Sequence, residues 1–121
     1  MRKRSDLFEA FIKYTQKVSE LDSFLETFKE THIFQTYEEM EDGLSVYDSI
    51  PYDKAFVFPF TTWIERPFHT VGMKFNIDIY FFDKFGRKTG EALDVPPEKE
   101  DVTPDDIGVQ YVVECLPRKG E

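Results

Sequence analysis

His69 and Asp78 are the side chains whose types and spacing could do proton chemistry. The imidazole sits in a loop, HTVGM, that runs into an alternating segment, and Asp78 falls on the polar side of that segment. If the two meet, the carboxylate orients the imidazole for proton transfer. Tyr80 shares the face of Asp78 at the two-residue strand period. Trp63, with Phe60, Ile64, Pro67 and Phe68 close in sequence, would supply a contact surface or the wall of a pocket. His69, Asp78, Tyr80 and Trp63 are therefore the candidate ligand-binding residues. A structural reading competes with this one. In it Asp78 caps or pairs, His69 bonds a neighbouring carbonyl, and the Trp63 loop is a lid over the core.

Other constellations are incomplete. His32, His69, Cys115 and the nearby carboxylates have no metal-ligand spacing, so no metal and no cofactor is expected. Gly43-Leu-Ser45-Val-Tyr47 is half a nucleophile elbow without its second glycine. Gly86-Arg-Lys-Thr89-Gly90 lacks the spacing of a phosphate loop. The acidic run from Glu98 to Asp106 lacks the glycine and final glutamate of a calcium loop. Cys115 is the only cysteine, which excludes an intrachain disulfide. Within VQYVVECL it reads as a buried small hydrophobe rather than a nucleophile.

The elements that must position these residues follow from periodicity. Phe75, Ile77, Ile79 and Phe81 fall on one face of a strand over Lys74–Phe82, with Lys74, Asn76, Asp78 and Tyr80 on the other. Asp83-Lys-Phe-Gly86 closes a hairpin onto Arg87–Leu93. IFQT is a short strand, YEEMEDG a helical turn, and FVFPF (Phe56–Phe60) a strand that Pro59 places at an edge or a bulge. Val95 to Asp101 is an exposed loop, and Thr103-Pro104-Asp105-Asp106 is a capped helix start. The last strand, Val109–Leu116, puts Val109, Tyr111, Val113 and Cys115 on one face and Val112 and Leu116 on the other. Apolar residues on both faces predict a sheet covered on two sides or a small closed barrel.

Before this β-rich part, Ser5–Phe28 reads as one long amphipathic helix. Leu7, Phe11, Tyr14, Val18, Leu21, Leu25 and Phe28 follow a 4-3 spacing, a seam that can join two chains or dock on the sheet of its own chain. Phe8, Ile12 and Phe24 widen the stripe and favour docking in cis. The expected class is α+β: an N-terminal helix over residues 1–31, then a mainly antiparallel β domain over 32–121.

Four blocks carry a family resemblance. They are Thr36 to Leu44; Ser49-Ile-Pro51 with Ala55-Phe-Val-Phe58; His69 to Gly86; and Tyr111-Val-Val-Glu114-Cys-Leu116-Pro117. In order and spacing they resemble the domain-of-unknown-function 192 family from about Ile33 to Pro117. The resemblance implies a compact antiparallel β domain with small helices and no assigned reaction. The chain departs from the family pattern with Ser45 and Tyr47 where Met and Arg are usual, with Asn76 in place of Pro, and with Ala55-Phe56 before the FVF-like strand.

Composition limits the partners. Fifteen basic against 24 acidic residues leave a formal charge of −9, which disfavours direct contact with nucleic acid or anionic lipid. No run approaches a membrane span, and no signal peptide follows MRKR, so a cytoplasmic protein is expected. The leading expectation is a small acidic, non-enzymatic binding module with a protein partner or self-association. The alternatives are a small enzyme or ligand binder using His69 and Asp78, and an acidic inhibitor that mimics nucleic acid.

Overall fold

Ile77, Ile79 and Phe81 share one side of an extended segment, Asp78, Tyr80 and Phe82 share the other, and all six are buried. A strand with both faces dry must be covered twice, and that requirement organises the molecule. A computed structural model describes residues 19–60, 68–102 and 108–118. Trp63, the helix start at Thr103–Asp106, and Leu7, Phe11, Tyr14 and Val18 of the seam lie outside those residues.

The described elements are α1 (Glu20–Glu26), β1 (Glu30–Ile33), α2 (Tyr37–Asp42), a 3-10 turn (Gly43–Val46), β2 (Lys54–Pro59), β3 (Ile77–Asp83), β4 (Lys88–Val95) and β5 (Val109–Cys115). The five strands form one open sheet in the order β1-β2-β5-β3-β4. Only β1 and β2 run parallel; the other pairs are antiparallel. The fold is therefore α+β with a mostly antiparallel sheet, and the barrel expectation is corrected. Closure would require β1 to pair with β4, but both are edges. Charged Lys88, Glu91 and Asp94 along β4 suit an edge exposed to water.

One face carries Phe34, Leu44, Phe56, Phe58, Met73, Ile77, Ile79, Phe81, Val109 and Val112, packed beneath α2, the 3-10 turn and the 68–75 loop. The other carries Ala55, Val57, Tyr80, Phe82, Val113 and Cys115 beneath Leu21 and Phe28. Phe75 packs on the first face with Ile77, Ile79 and Phe81, as the alternation predicts. Asp78 and Tyr80 do point the other way, but that face is not solvated, because α1 covers it. Val109 also departs from the predicted pattern: it joins Val112 rather than Val113 and Cys115. Phe82 pairs with Tyr111 and Asp83 with Val109, so Gln110 is an extra residue that turns Val109 to the opposite face.

The single long helix is corrected at Ser19. That residue is extended, with φ −75° and ψ 166°, and its hydroxyl accepts from Asp22 N, so it caps a fresh helix of seven residues. Leu21 N bonds Gly86 O at 2.9 Å, which directs the helix start to the hairpin turn. At the other end Thr27 and Phe28 turn back on Phe24 and Leu25 carbonyls, and the chain becomes β1. This strand lies earlier than IFQT, because Thr36 is committed to a capping box with Glu39 at the start of α2. Pro59 is tolerated inside the sheet because β1 reaches only Val57 on that side. The 96–101 loop is exposed yet clipped: Thr70 exchanges hydrogen bonds with Pro96, Glu98 and Lys99.

Candidate functional site

Asp78 is the hub of the α1-covered face. Its side chain is 3% exposed, and three donors reach it. Oδ1 accepts from Asp94 N at 2.7 Å; Oδ2 accepts from the Tyr80 hydroxyl and from Arg118 N, each at 2.9 Å. Local sequence explains the first contact. The β3–β4 register shifts between Ile77 and Ile79, and Asp94 takes φ +51°, a region that Asp tolerates better than most side chains. The third contact comes from the chain just past β5. The Arg118 guanidinium stands 4.0 Å from the Phe28 ring centroid and 5.9 Å from that of Phe24. It also donates to Thr27 Oγ1 at 2.8 Å and to Thr27 O at 3.4 Å. One carboxylate thereby ties together β3, β4, the segment after β5 and the end of α1.

Burial sets the protonation of the groups around the hub. It raises the Tyr80 hydroxyl well above its ordinary value, and the bond to Asp78 adds to the effect, so the phenol is a fixed donor. Burial likewise pushes the Cys115 thiol up to about 12; Asp78 adds to this and Arg118 opposes it. That thiol stays protonated and is no nucleophile at neutral pH. On the other face, burial alone raises Glu114 to about 8.

Beside the hub lies an open groove of about 440 Å³, walled by Glu20, Ser23 and Phe24 of α1 and by Tyr80, Phe82 and Lys88 of the hairpin. Phe24 forms an aromatic cluster with Tyr80 and Phe82, its centroid 4.5 and 5.9 Å from theirs. Lys88 holds the far wall: its N–H donates to Glu20 Oε1 at 3.3 Å, and its ammonium bonds Glu91 and stands 5.7 Å over Tyr80. Glu20 is the charged residue on the groove's helix wall. α1 contains Glu20, Asp22 and Glu26 and no basic residue.

The predicted site residues are not brought together as a set. Asp78 and Tyr80 meet directly. His69 is exposed in the loop on the opposite side of the sheet, and its Nδ1 accepts from Val71 N at 3.2 Å. Asp78 spends its oxygens on Tyr80, Asp94 and Arg118 rather than on the imidazole. Leu21 and Phe28 of the seam are buried on the sheet of their own chain, with Leu25 packed against them. Among the described residues no cluster of three or more His, Cys, Asp or Glu could hold a metal ion. Sequence reading missed Arg118, Asp94, Lys88 and Glu20. Arg118 follows the Leu116-Pro117 block directly, which was the available signal.

Solved structures share this fold. A protein of unknown function from Novosphingobium aromaticivorans DSM 12444 superposes with a TM-score of 0.64 at 18% identity, covering 75% of this chain and 64% of that one. A protein from Sinorhizobium meliloti 1021, described as a "putative transcription regulator", gives 0.64 at 17% identity, covering 72% of this chain and 67% of that one. This chain thus spans less than two thirds of the Novosphingobium protein's length. No curated protein matches. A profile of the DUF192 family, described as Uncharacterized ACR, matches residues 14–118, nearly the whole chain, and the chain belongs to that family.

Proposed function

We propose that this protein is a non-enzymatic binding module whose groove between α1 and the β3–β4 hairpin takes a basic, amphipathic segment of a protein. The observation that carries this reading is the groove itself: an aromatic cluster of Phe24, Tyr80 and Phe82 beside a helix wall that presents Glu20. Apolar side chains of a bound segment would rest on the rings, and its Lys or Arg would meet Glu20. The chemistry nearby supports binding over catalysis. Cys115 is held protonated, Tyr80 is a fixed donor, and the Asp78 oxygens already have three partners. The acids of α1 and of α2 lie over opposite faces of the sheet, which favours a local groove over an inhibitor that mimics nucleic acid along one face. A formal charge of −9 argues against direct contact of this chain with nucleic acid.

The test is fluorescence anisotropy with a labelled amphipathic peptide of Lys and Leu. Saturable binding that weakens in 0.5 M salt and in Glu20→Lys is expected. A peptide that fails to bind, or that binds Glu20→Lys as tightly as the unaltered chain, overturns the reading.

A further inference from the structure

We propose that the open edge of β1 pairs antiparallel with β1 of a second copy, about a twofold axis at His32. This surface is separate from the groove, so the two readings stand or fall independently.

The sheet ends in two edges, and they are built differently. β4 is guarded: it carries Lys88, Glu91 and Asp94, and its pairing with β3 shifts register between Ile77 and Ile79. β1 has the opposite character. Glu30–Ile33 runs in unbroken register against Lys54–Val57, with no proline and no bulge. Ile33 is 47% exposed at this edge, and Tyr52 and Tyr37, also exposed, lie toward its two ends.

The backbone shows what the edge offers. Glu30 N bonds Asp53 O at 3.2 Å and Phe34 N bonds Val57 O at 3.0 Å, so these positions turn their polar groups inward to β2. Strand alternation then turns the N–H and C=O of Thr31 and Ile33 outward. Their two-residue separation makes the edge complementary to itself. In an antiparallel pair centred on His32, Thr31 faces Ile33 of the second copy and Ile33 faces its Thr31, so every outward donor and acceptor is used.

The side chains fit the same register. Thr31 and Ile33 share the face of Ala55 and Val57, so each exposed Ile33 rests on Thr31 of the second copy. Lys29 and Glu30 fall opposite Gln35 and Phe34 of the second copy, which opposes no like charges. The two His32 imidazoles meet at the axis. Each is already held by ring contacts with Phe34 and Phe56, at 4.9 and 5.9 Å, and each lies 3.7 Å from Glu39 Oε2, so an acid accompanies each ring there. The pairing joins two five-stranded sheets into one. A ladder this short makes a weak dimer that forms with concentration.

Sedimentation equilibrium of the full chain from about 5 µM to about 500 µM tests this. The mean mass is expected to rise from 14.3 kDa toward twice that value. Ile33→Pro removes an outward donor and leaves the inward bonds of β1 in place, and Ile33→Lys puts a charge on the edge; both are expected to stay monomeric. A full chain that stays at 14.3 kDa throughout, or a dimer that persists in both variants, overturns the proposal. Cysteine pairing reads the register without relying on either variant, and Cys115 is buried and does not compete. His32→Cys places two thiols opposite each other at the axis, whereas Thr31→Cys places them more than about 7 Å apart at Cα, beyond disulfide reach. A disulfide-linked dimer of His32→Cys and none of Thr31→Cys is expected. Equal yields, or none from His32→Cys, overturn the pairing.

Discussion

Each face of the sheet buries one acidic side chain, and the two are treated in opposite ways. Asp78, on the α1 side, receives three hydrogen bonds from three separate parts of the chain. Glu114 is 4% exposed on the opposite face, its backbone pairs across the sheet with Phe56 and Ile79, and burial alone raises its carboxyl to about 8. The first acid organises its surroundings; the second is a cost that its face carries. Burial is nearly equal, so three donors, not depth, make Asp78 a structural carboxylate.

Substitution at the hub breaks this contrast most directly. Asp78→Ala strands the Tyr80 hydroxyl, Asp94 N and Arg118 N together, and a loss of about 4 kcal/mol in urea unfolding is expected. A loss below about 1 kcal/mol would remove Asp78 as the hub. The opposite sign is expected on the other face. The folded protein holds the Glu114 proton up to about pH 8, whereas the unfolded chain releases it near the ordinary 4.5. Its contribution to stability is therefore complete below about pH 4.5 and is lost as the pH rises through about 8. Glu114→Gln should stabilise the protein by about 3 kcal/mol at pH 7 and by little at pH 4. Parallel stability curves for the two proteins from pH 4 to 8 would refute the assignment.

Smaller effects sharpen the boundary between the faces. Gly86 has φ +79° and its missing Cβ would press on Ser19, so Gly86→Ala should cost about 2 kcal/mol and loosen α1, read as faster amide exchange in Glu20–Glu26. Arg118→Ala removes the stack on Phe28 and two bonds to Thr27 but leaves its backbone N–H on Asp78. About 1 kcal/mol is expected, with the exchange increase confined to the end of α1.

Parts of this were legible in the residues. The alternation from Phe75 to Phe81 was readable because each side chain on a strand has one face available. The Asp83–Gly86 hairpin was readable because Asp83 oxygens accept from Phe85 N and Arg87 N within five residues, and these bonds hold its carboxyl below the ordinary range despite partial burial. YEEMEDG was readable as a helical turn, but its Thr36–Glu39 capping box was not named from the residues. The break at Ser19 was not readable, because the apolar spacing continues across it; the interruption comes from Gly86, sixty-seven residues away in sequence. The Gln110 bulge and the separation of His69 from Asp78 are likewise products of register and of which loop covers which face.

The chain's residues alone determined the faces of β3, the hairpin turn, the acidic balance and the family, since each depends on contacts within a few positions or on composition. Tertiary structure decided that the sheet stays open, that Asp78 faces Arg118 rather than His69, and that Glu114 is buried in the opposite core. Those outcomes depend on strand order and register, which bring together residues as far apart as Thr27 and Arg118 and which no local pattern encodes.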